Sequence, residues 1–256
     1  MAVAPGMSEK PGSSLARMLS VLDLFSEQAP LWTAEAIIEA LQVSAPTGYR
    51  YVKMLVDAGL LQRGADSQYT LGARIIVLDH CIRMGDPVLQ MGLPFMAELV
   101  EKTGFECVIS ALYGTQLVDT HREYSKAPAS LSYGRGRPRP LFLGAAPKVI
   151  LACMGSVALR RLFEQHAADI AAAGLPGEWT AFRRYFAAIR KAGHYFSEGE
   201  LERTLAAVAV PLQKADGHVL GALSLVTTVP RMAMVDRRKL TALVQRTAQD
   251  IVSRIP

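Results

Sequence analysis

The connection Gln42-Val43-Ser44 constrains this chain more than any other feature. A link of about three residues between two short helices turns the chain sharply, and the residues on both sides have helical periodicity. Before it, Thr33 stands as the cap of a short helix whose inner stripe is Ile37, Ala40 and Leu41. After it, Ser44 stands as the cap of a third helix, with Pro46 in the first turn, where a missing N–H costs little. That helix runs to about Asp57 and ends near Gly59. Upstream, Leu15, Met18, Leu19, Leu22 and Phe25 recur at spacings of three and four, with Val21 beside them. Ser14 to Phe25 therefore reads as one amphipathic helix, capped by Ser13 or Ser14, before Ala29-Pro30 breaks the chain.

At about 100° per residue, the third helix separates into two faces. Gly48, Val52, Leu55 and Val56 cluster inward. Thr47, Arg50, Met54 and Asp57 fall opposite, with Lys53 at their edge and Tyr49 and Tyr51 on the flanks. The outer face thus offers a hydroxyl, a guanidinium and an ammonium, which suit phosphates and base edges. A solvated helix face has the same composition. The next residues favour DNA: Leu60 to Arg63 and Gln68 to Leu71 read as short strands around a Gly64-Ala65-Asp66-Ser67 turn. A hairpin directly after such a helix is a wing, from which Arg63 and Gln68 reach the DNA backbone.

The chain has 256 residues, enough for two domains, and is half apolar and one-fifth charged, as a globular protein should be. Residues 1–12 read as a flexible tail without a secretory signal. The longest apolar stretch, Val149 to Leu159, is interrupted by Gly155-Ser156 and falls short of the ~20 residues a membrane-spanning helix needs. Cys81, Cys107 and Cys153 are too few and too scattered for a disulfide or zinc framework, so a cytoplasmic location is expected. The net charge is +5, yet residues 1–85 carry seven basic and eight acidic side chains. Overall basicity therefore does not locate a DNA-binding region; local pattern does.

Ala73 to Met84 continues as a helix and stops at Gly85-Asp86-Pro87, so residues 73–87 read as a linker, with Cys81 inside its apolar pattern as a buried thiol. Beyond it, helices are expected at Leu89 to Thr103, Ala146 to Met154, Val157 to His166, Trp179 to Lys191 and Arg237 to Ile255. Strands are expected at Cys107 to Leu112, Gln116 to Arg122, Leu131 to Tyr133, Ala206 to Leu212 and Val219 to Val226. Hairpins mixed with helices imply an antiparallel sheet covered by helices, an α+β domain over residues 88–256.

Ser44 to Leu55, Ala58-Gly59-Leu60-Leu61 and Tyr69-Thr70-Leu71-Gly72 resemble the winged helix of the IclR family of bacterial transcription regulators. That pattern is approximately S-T-x-x-R-x-L-x-T-L, then L-G-[YF]-[VL], then Y-x-L-G. Thr47, Arg50, Leu55, Gly59 and the Tyr69–Gly72 run match; Pro46 and Met54 depart from it. The resemblance implies a winged helix-turn-helix over residues 13–72, with Ser44, Thr47, Tyr49, Arg50, Lys53 and Arg63 on double-stranded operator DNA. It extends to Pro140–Ala152, which is similar to the family's P-L-H-A-T-A-x-G-K-A-x-L-A, and to Pro211, Asp216-Gly217 and Ala222-Leu223-Ser224. It therefore implies a C-terminal GAF-like effector-binding domain and a homodimer or dimer of dimers, without a cofactor, a metal or an enzymatic activity.

Carried over residue by residue, the resemblance places an effector against Gly144, Ala145, Ser197, Ala207, Ser224 and Val226. Backbone N–H groups at a helix start, here Gly144-Ala145, favour a carboxylate. Ser197 stands where an acid is frequent, Ala207 where Cys is, Val226 where Ser is, and Pro147 replaces a Gly. These departures point to a more apolar ligand, larger than a two- or three-carbon acid, such as an aromatic acid or amide; core packing alone would also explain them. Arg135, Arg137 and Arg139 alternate with Gly136 and Pro138 in a loop that reads either as an anion clamp or as a solvated or inter-subunit segment. His194 lies near the expected pocket, and His121, His166, His194 and His218 have no metal-ligand spacing. Two alternatives remain open: a DNA-binding regulator without an effector, and a hydrolase using Cys107 or Cys153.

Overall fold

The computed structural model describes residues 12–126 and 134–255. Residues 1–11 of the expected tail and the expected strand Leu131 to Tyr133 lie outside them. The chain divides after Gly85 into two compact units.

In the first unit, α1 spans Ser14–Leu19, with Ser13 accepting from the Ala16 N–H. It is shorter than its periodicity suggests. Ser20 turns its hydroxyl back onto the Arg17 carbonyl at 2.9 Å, a local bond that competes with the helix, and a separate 3₁₀ turn follows at Leu22–Leu24. Strand β1, Trp32–Thr33, was not legible in the sequence. Thr33 then caps α2, Ala34–Leu41, by accepting from Ala36 N–H. The α2 residues that face inward are Ala34 and Ile37, with Ile38 and Leu41 partly covered, whereas Ala40 is exposed.

Helix α3 spans Ala45–Asp57 and buries Gly48, Tyr51, Val52 and Leu55. A Cβ on Gly48 would lie 2.1 Å from Ile38 Cγ1, so the absence of a side chain lets α2 and α3 cross closely. Tyr51, expected on a flank, is buried and shares a 2.9 Å hydrogen bond with the Ser14 hydroxyl. Strands β2, Leu61–Arg63, and β3, Gln68–Leu71, pair antiparallel with Arg63 opposite Tyr69, and β1 joins the far side of β3. The unit ends with α4, Ala73–Gly85, which buries none of its residues. Cys81 is exposed there, contrary to the expected buried thiol, because no other part of the unit covers the helix.

The second unit begins with α5, Pro87–Thr103, and the hairpin of β4, Glu106–Tyr113, with β5, Gln116–Glu123. A short strand β6, Pro138–Arg139, pairs with β5. Four helices follow: α6 (Ala145–Cys153), α7 (Ser156–Gln165), α8 (Ala167–Ala172) and α9 (Trp179–Ala192). Then come β7 (Tyr195–Glu198), β8 (Leu205–Gln213), β9 (Val219–Thr228), α10 (Val229–Ala233) and α11 (Arg237–Ser253). Strands β6 and β7 and helices α8 and α10 had not been expected; each is too short to carry a periodicity.

The six strands form one antiparallel sheet in the order β6-β5-β4-β9-β8-β7. Alternation of side chains along the strands, interrupted by register shifts at Ile109/Ser110 and Leu212/Gln213, gives it two faces. Cys107, Ile109, Val208, Val210, Leu223 and Leu225 pack with Met96 and Leu99 of α5 and with Val244 and Ile251 of α11. Ala209 and Ala222 face the other way, against α6 and the Phe182 and Phe186 rings of α9. The first face is a continuous apolar core. The second leaves room beyond the N-terminal end of α6.

Candidate functional site

The outer surface of α3 keeps Arg50 and Lys53 exposed and Thr47 partly covered. The Arg50 guanidinium lies 5.9 Å from the centre of the Tyr51 ring. Ser44 occupies the cap position, but its hydroxyl does not accept a helix N–H; it donates to the Thr47 hydroxyl at 3.0 Å. The first-turn amides of α3 therefore keep their capacity to donate to an anion. Arg63 lies on the wing and donates to Ser67 Oγ at 3.3 Å. Tyr49 is different: its hydroxyl donates to Glu35 Oε1 at 2.6 Å, so that group is already committed to holding α2. Glu35 carries no local signal for this role, because it lies on another helix 14 residues away.

In the second unit, the polar face of the sheet and the start of α6 enclose a cavity. Gly144, Ala145, Ser197, Ala207, Ser224 and Val226 all line it, together with Val108, Asp119, Arg139, Ala146, Glu200 and Leu201. Strand register explains the grouping: Ser197 is opposite Ala207, Ala207 opposite Val226, and Val108 opposite Ser224. His194 is not among the lining residues; its Nδ1 lies 2.9 Å from the Ala192 carbonyl oxygen. The cavity volume is about 50 Å³, well below the ~150 Å³ of a cavity that takes a benzene ring. Leu201 and Leu205 line it as well, so the small side chains of Ser197 and Ala207 do not make the site roomy.

Two ion pairs flank the cavity, one buried and one partly buried. On the sheet side, Arg139 Nη1 donates to Asp119 Oδ1 at 2.9 Å, and the Ser110 hydroxyl donates to the same oxygen at 2.7 Å. On the helix side, Glu200 Oε2 accepts from the Gly144 N–H at 3.0 Å and from Lys148 Nζ at 2.6 Å. The Tyr195 hydroxyl donates to Glu200 Oε1 at 2.8 Å and accepts from Lys148 at 3.1 Å. Burial, then hydrogen bonds with Tyr185 and Glu200, push the Tyr195 phenol up, so it stays a donor. The Gly144 amide, expected to meet an effector carboxylate, is therefore already occupied by a carboxylate of the chain itself. Two donors in the cavity wall, Arg139 Nε and Ser224 Oγ, are buried and have no hydrogen-bond partner among the described residues.

The comparisons agree with this division. Residues 85–253 match the profile of the bacterial transcriptional regulator IclR C-terminal domain, and residues 14–65 match the IclR helix-turn-helix domain. The chain belongs to the IclR family. It is therefore a transcription regulator with an N-terminal DNA-binding domain and a C-terminal ligand-binding domain. It is 27% identical to the HTH-type transcriptional regulator XynR of Escherichia coli over 86% of this chain and 87% of that one. It is 22% identical to the Pca regulon regulatory protein of Pseudomonas putida over 86% of this chain and 76% of the relative. A crystal structure of an IclR homolog from Microbacterium hydrocarbonoxydans, complexed with 4-hydroxybenzoate, has a TM-score of 0.77 at 22% identity, covering 95% of this chain and 99% of the other.

Cys107 of this IclR-family chain is buried and Cys153 partly covered. Burial pushes the Cys107 thiol well up and raises Cys153 as well, with Arg190 opposing the second shift. A nucleophilic cysteine needs the opposite shift. Among the described residues no group of three His, Cys, Asp or Glu side chains is placed to hold a metal ion, and no helix is long and apolar enough to cross a membrane.

Proposed function

We propose that this regulator inserts α3 into the major groove of its operator and changes its operator affinity when a small organic acid enters the C-terminal cavity. Thr47, Arg50 and Lys53 supply the contacts from the helix, Ser44 those from its first turn, and Arg63 those from the wing. The observation that carries the ligand half is the pair of buried donors, Arg139 Nε and Ser224 Oγ, left without a partner in the cavity wall. Buried donors are nearly always satisfied, so an absent acceptor is the natural complement. The small volume of the cavity suits a small acid. An aromatic acid of the kind bound by the Microbacterium homolog enters once the segment that carries Glu200 and Leu201 moves outward.

The active species is a cytoplasmic homodimer or a dimer of dimers. Helix α4 supports this, since Ile76, Val77, Leu78, Ile82 and Met84 are all more than 40% exposed, a density of apolar surface that single-chain proteins rarely leave in water. The deciding experiment is fluorescence anisotropy with DNA from just upstream of this protein's own gene, at constant salt because phosphate contacts make affinity salt-dependent. Sequence-specific binding that one acid shifts is expected. Specific binding that no acid shifts leaves a regulator without an acid effector, and absence of specific binding overturns the placement of α3.

A further inference from the structure

The cavity contains a guanidinium whose geometry the rest of the site leaves incomplete. The Arg139 side chain is nine-tenths buried. Its Nη1 is held by Asp119. Its Nη2 lies 3.3 Å from where a Cβ on Gly144 would stand, so that position accommodates the guanidinium through having no side chain. Its Nε is buried and has no partner among the described residues. A guanidinium presents its donors in one plane, in a fork that matches the two oxygens of a carboxylate. Ser224, 2% exposed on β9, adds a second unused donor to the same wall.

We infer that Arg139, with Ser224 beside it in the wall, is the carboxylate-reading residue of this chain, and that the ligand carboxylate docks on the sheet side of the cavity rather than on the Gly144 amide. The charge arrangement supports that direction. At the start of α6, Glu200 already fills the Gly144 N–H, and a second carboxylate there would meet it as a like charge. On the sheet side the Asp119 carboxylate is drawn onto Nη1 and the Ser110 hydroxyl. Asp119 thus acts as a positioning residue, aiming the guanidinium so that its free edge faces the ligand. Ala207 and Val226, with Leu201 and Leu205, give the wall apolar surface for the body of the ligand. The ligand class is a monocarboxylate recognised by its anionic end. This inference rests on the reading of the cavity as the effector site.

Calorimetry on the full chain tests it with two pairs of probes: pyruvate and pyruvamide, and 4-hydroxybenzoate and 4-hydroxybenzamide. In each pair the amide keeps the shape and loses the charge. For whichever pair binds, the acid is expected to bind at least about tenfold more tightly than its amide. Arg139→Lys keeps a cation for Asp119 but removes the Nε donor, and is expected to erase that acid preference. Ser224→Ala leaves the ion pair untouched and is expected to weaken the acid about three- to tenfold. Cooperative thermal melting of both variants shows that they are folded, whatever the shift in midpoint. An acid preference that survives Arg139→Lys overturns the role of Arg139 while leaving the effector reading standing. Failure of every probe to bind the wild-type chain overturns the effector reading, and this inference with it.

Discussion

The Tyr49 hydroxyl donates to Glu35 Oε1 at 2.6 Å and ties α3 to α2. The bond to Tyr49 holds the Glu35 carboxyl below its ordinary value of 4.5, and the same bond holds the Tyr49 phenol above 10.0. The sign follows for each group. The Glu35 contribution is present above pH 4.5 and is lost as pH falls through its lowered value. The Tyr49 contribution is present below pH 10.0 and is lost as pH rises through its raised value. Tyr49→Phe should lower Tm slightly at neutral pH, by about 1–2 °C, with the difference vanishing in acid. Operator affinity should stay within about twofold, because the hydroxyl is already engaged. A tenfold loss would place that hydroxyl on DNA instead.

The approach of α2 to α3 at Gly48 makes a second expectation. Alanine normally stabilises a helix interior by about 1 kcal/mol relative to glycine. Here its Cβ would lie 2.1 Å from Ile38 Cγ1, and overpacking of that kind costs about 1–3 kcal/mol. Gly48→Ala should therefore lower the urea midpoint despite better helix propensity, and adding Ile38→Ala should recover much of the loss. A rise in midpoint for the single variant would overturn the close crossing of α2 and α3 at Gly48.

Glu200 and Lys148 should be strongly coupled. Lys148 is 4% exposed, and Glu200 is its carboxylate partner. Removing one member of a buried pair strands the other, at a cost of about 3–5 kcal/mol. Glu200 is itself partly exposed, so Glu200→Ala should fall near the lower end, about 3 kcal/mol. Lys148→Met in the same chain should restore most of that stability. A denaturant series on the four combinations measures the coupling, and simple additivity would refute it.

The apolar surface of α4 makes a prediction about assembly. Ile76→Asp combined with Ile82→Asp should convert the oligomer to a monomer in light-scattering chromatography. Sequence-specific operator affinity should fall with it, because two linked heads bind DNA more tightly than one. Acid binding by the second unit should persist. An unchanged molar mass would place the interface elsewhere.

Much of this protein was readable because its information is local. The Thr33 cap, the Gln42–Ser44 connection, the outward Arg50 and Lys53, and the hairpin around Gly64–Ser67 each depend on residues within one turn or one strand pair. The β-strand alternation that puts Ser224 and Val226 on one face is likewise visible in sequence. Only tertiary structure decided how the sites are finished. It spent the Tyr49 hydroxyl on Glu35, filled the Gly144 amide with a carboxylate 56 residues away, and brought Arg139 from a two-residue strand onto Asp119. It also left Cys81 exposed on a helix whose pattern looked like a core. The physical reason is common to all four. Periodicity says which side of an element is apolar, but what covers that side, and which charge answers which, depends on chain segments brought together only by folding and assembly.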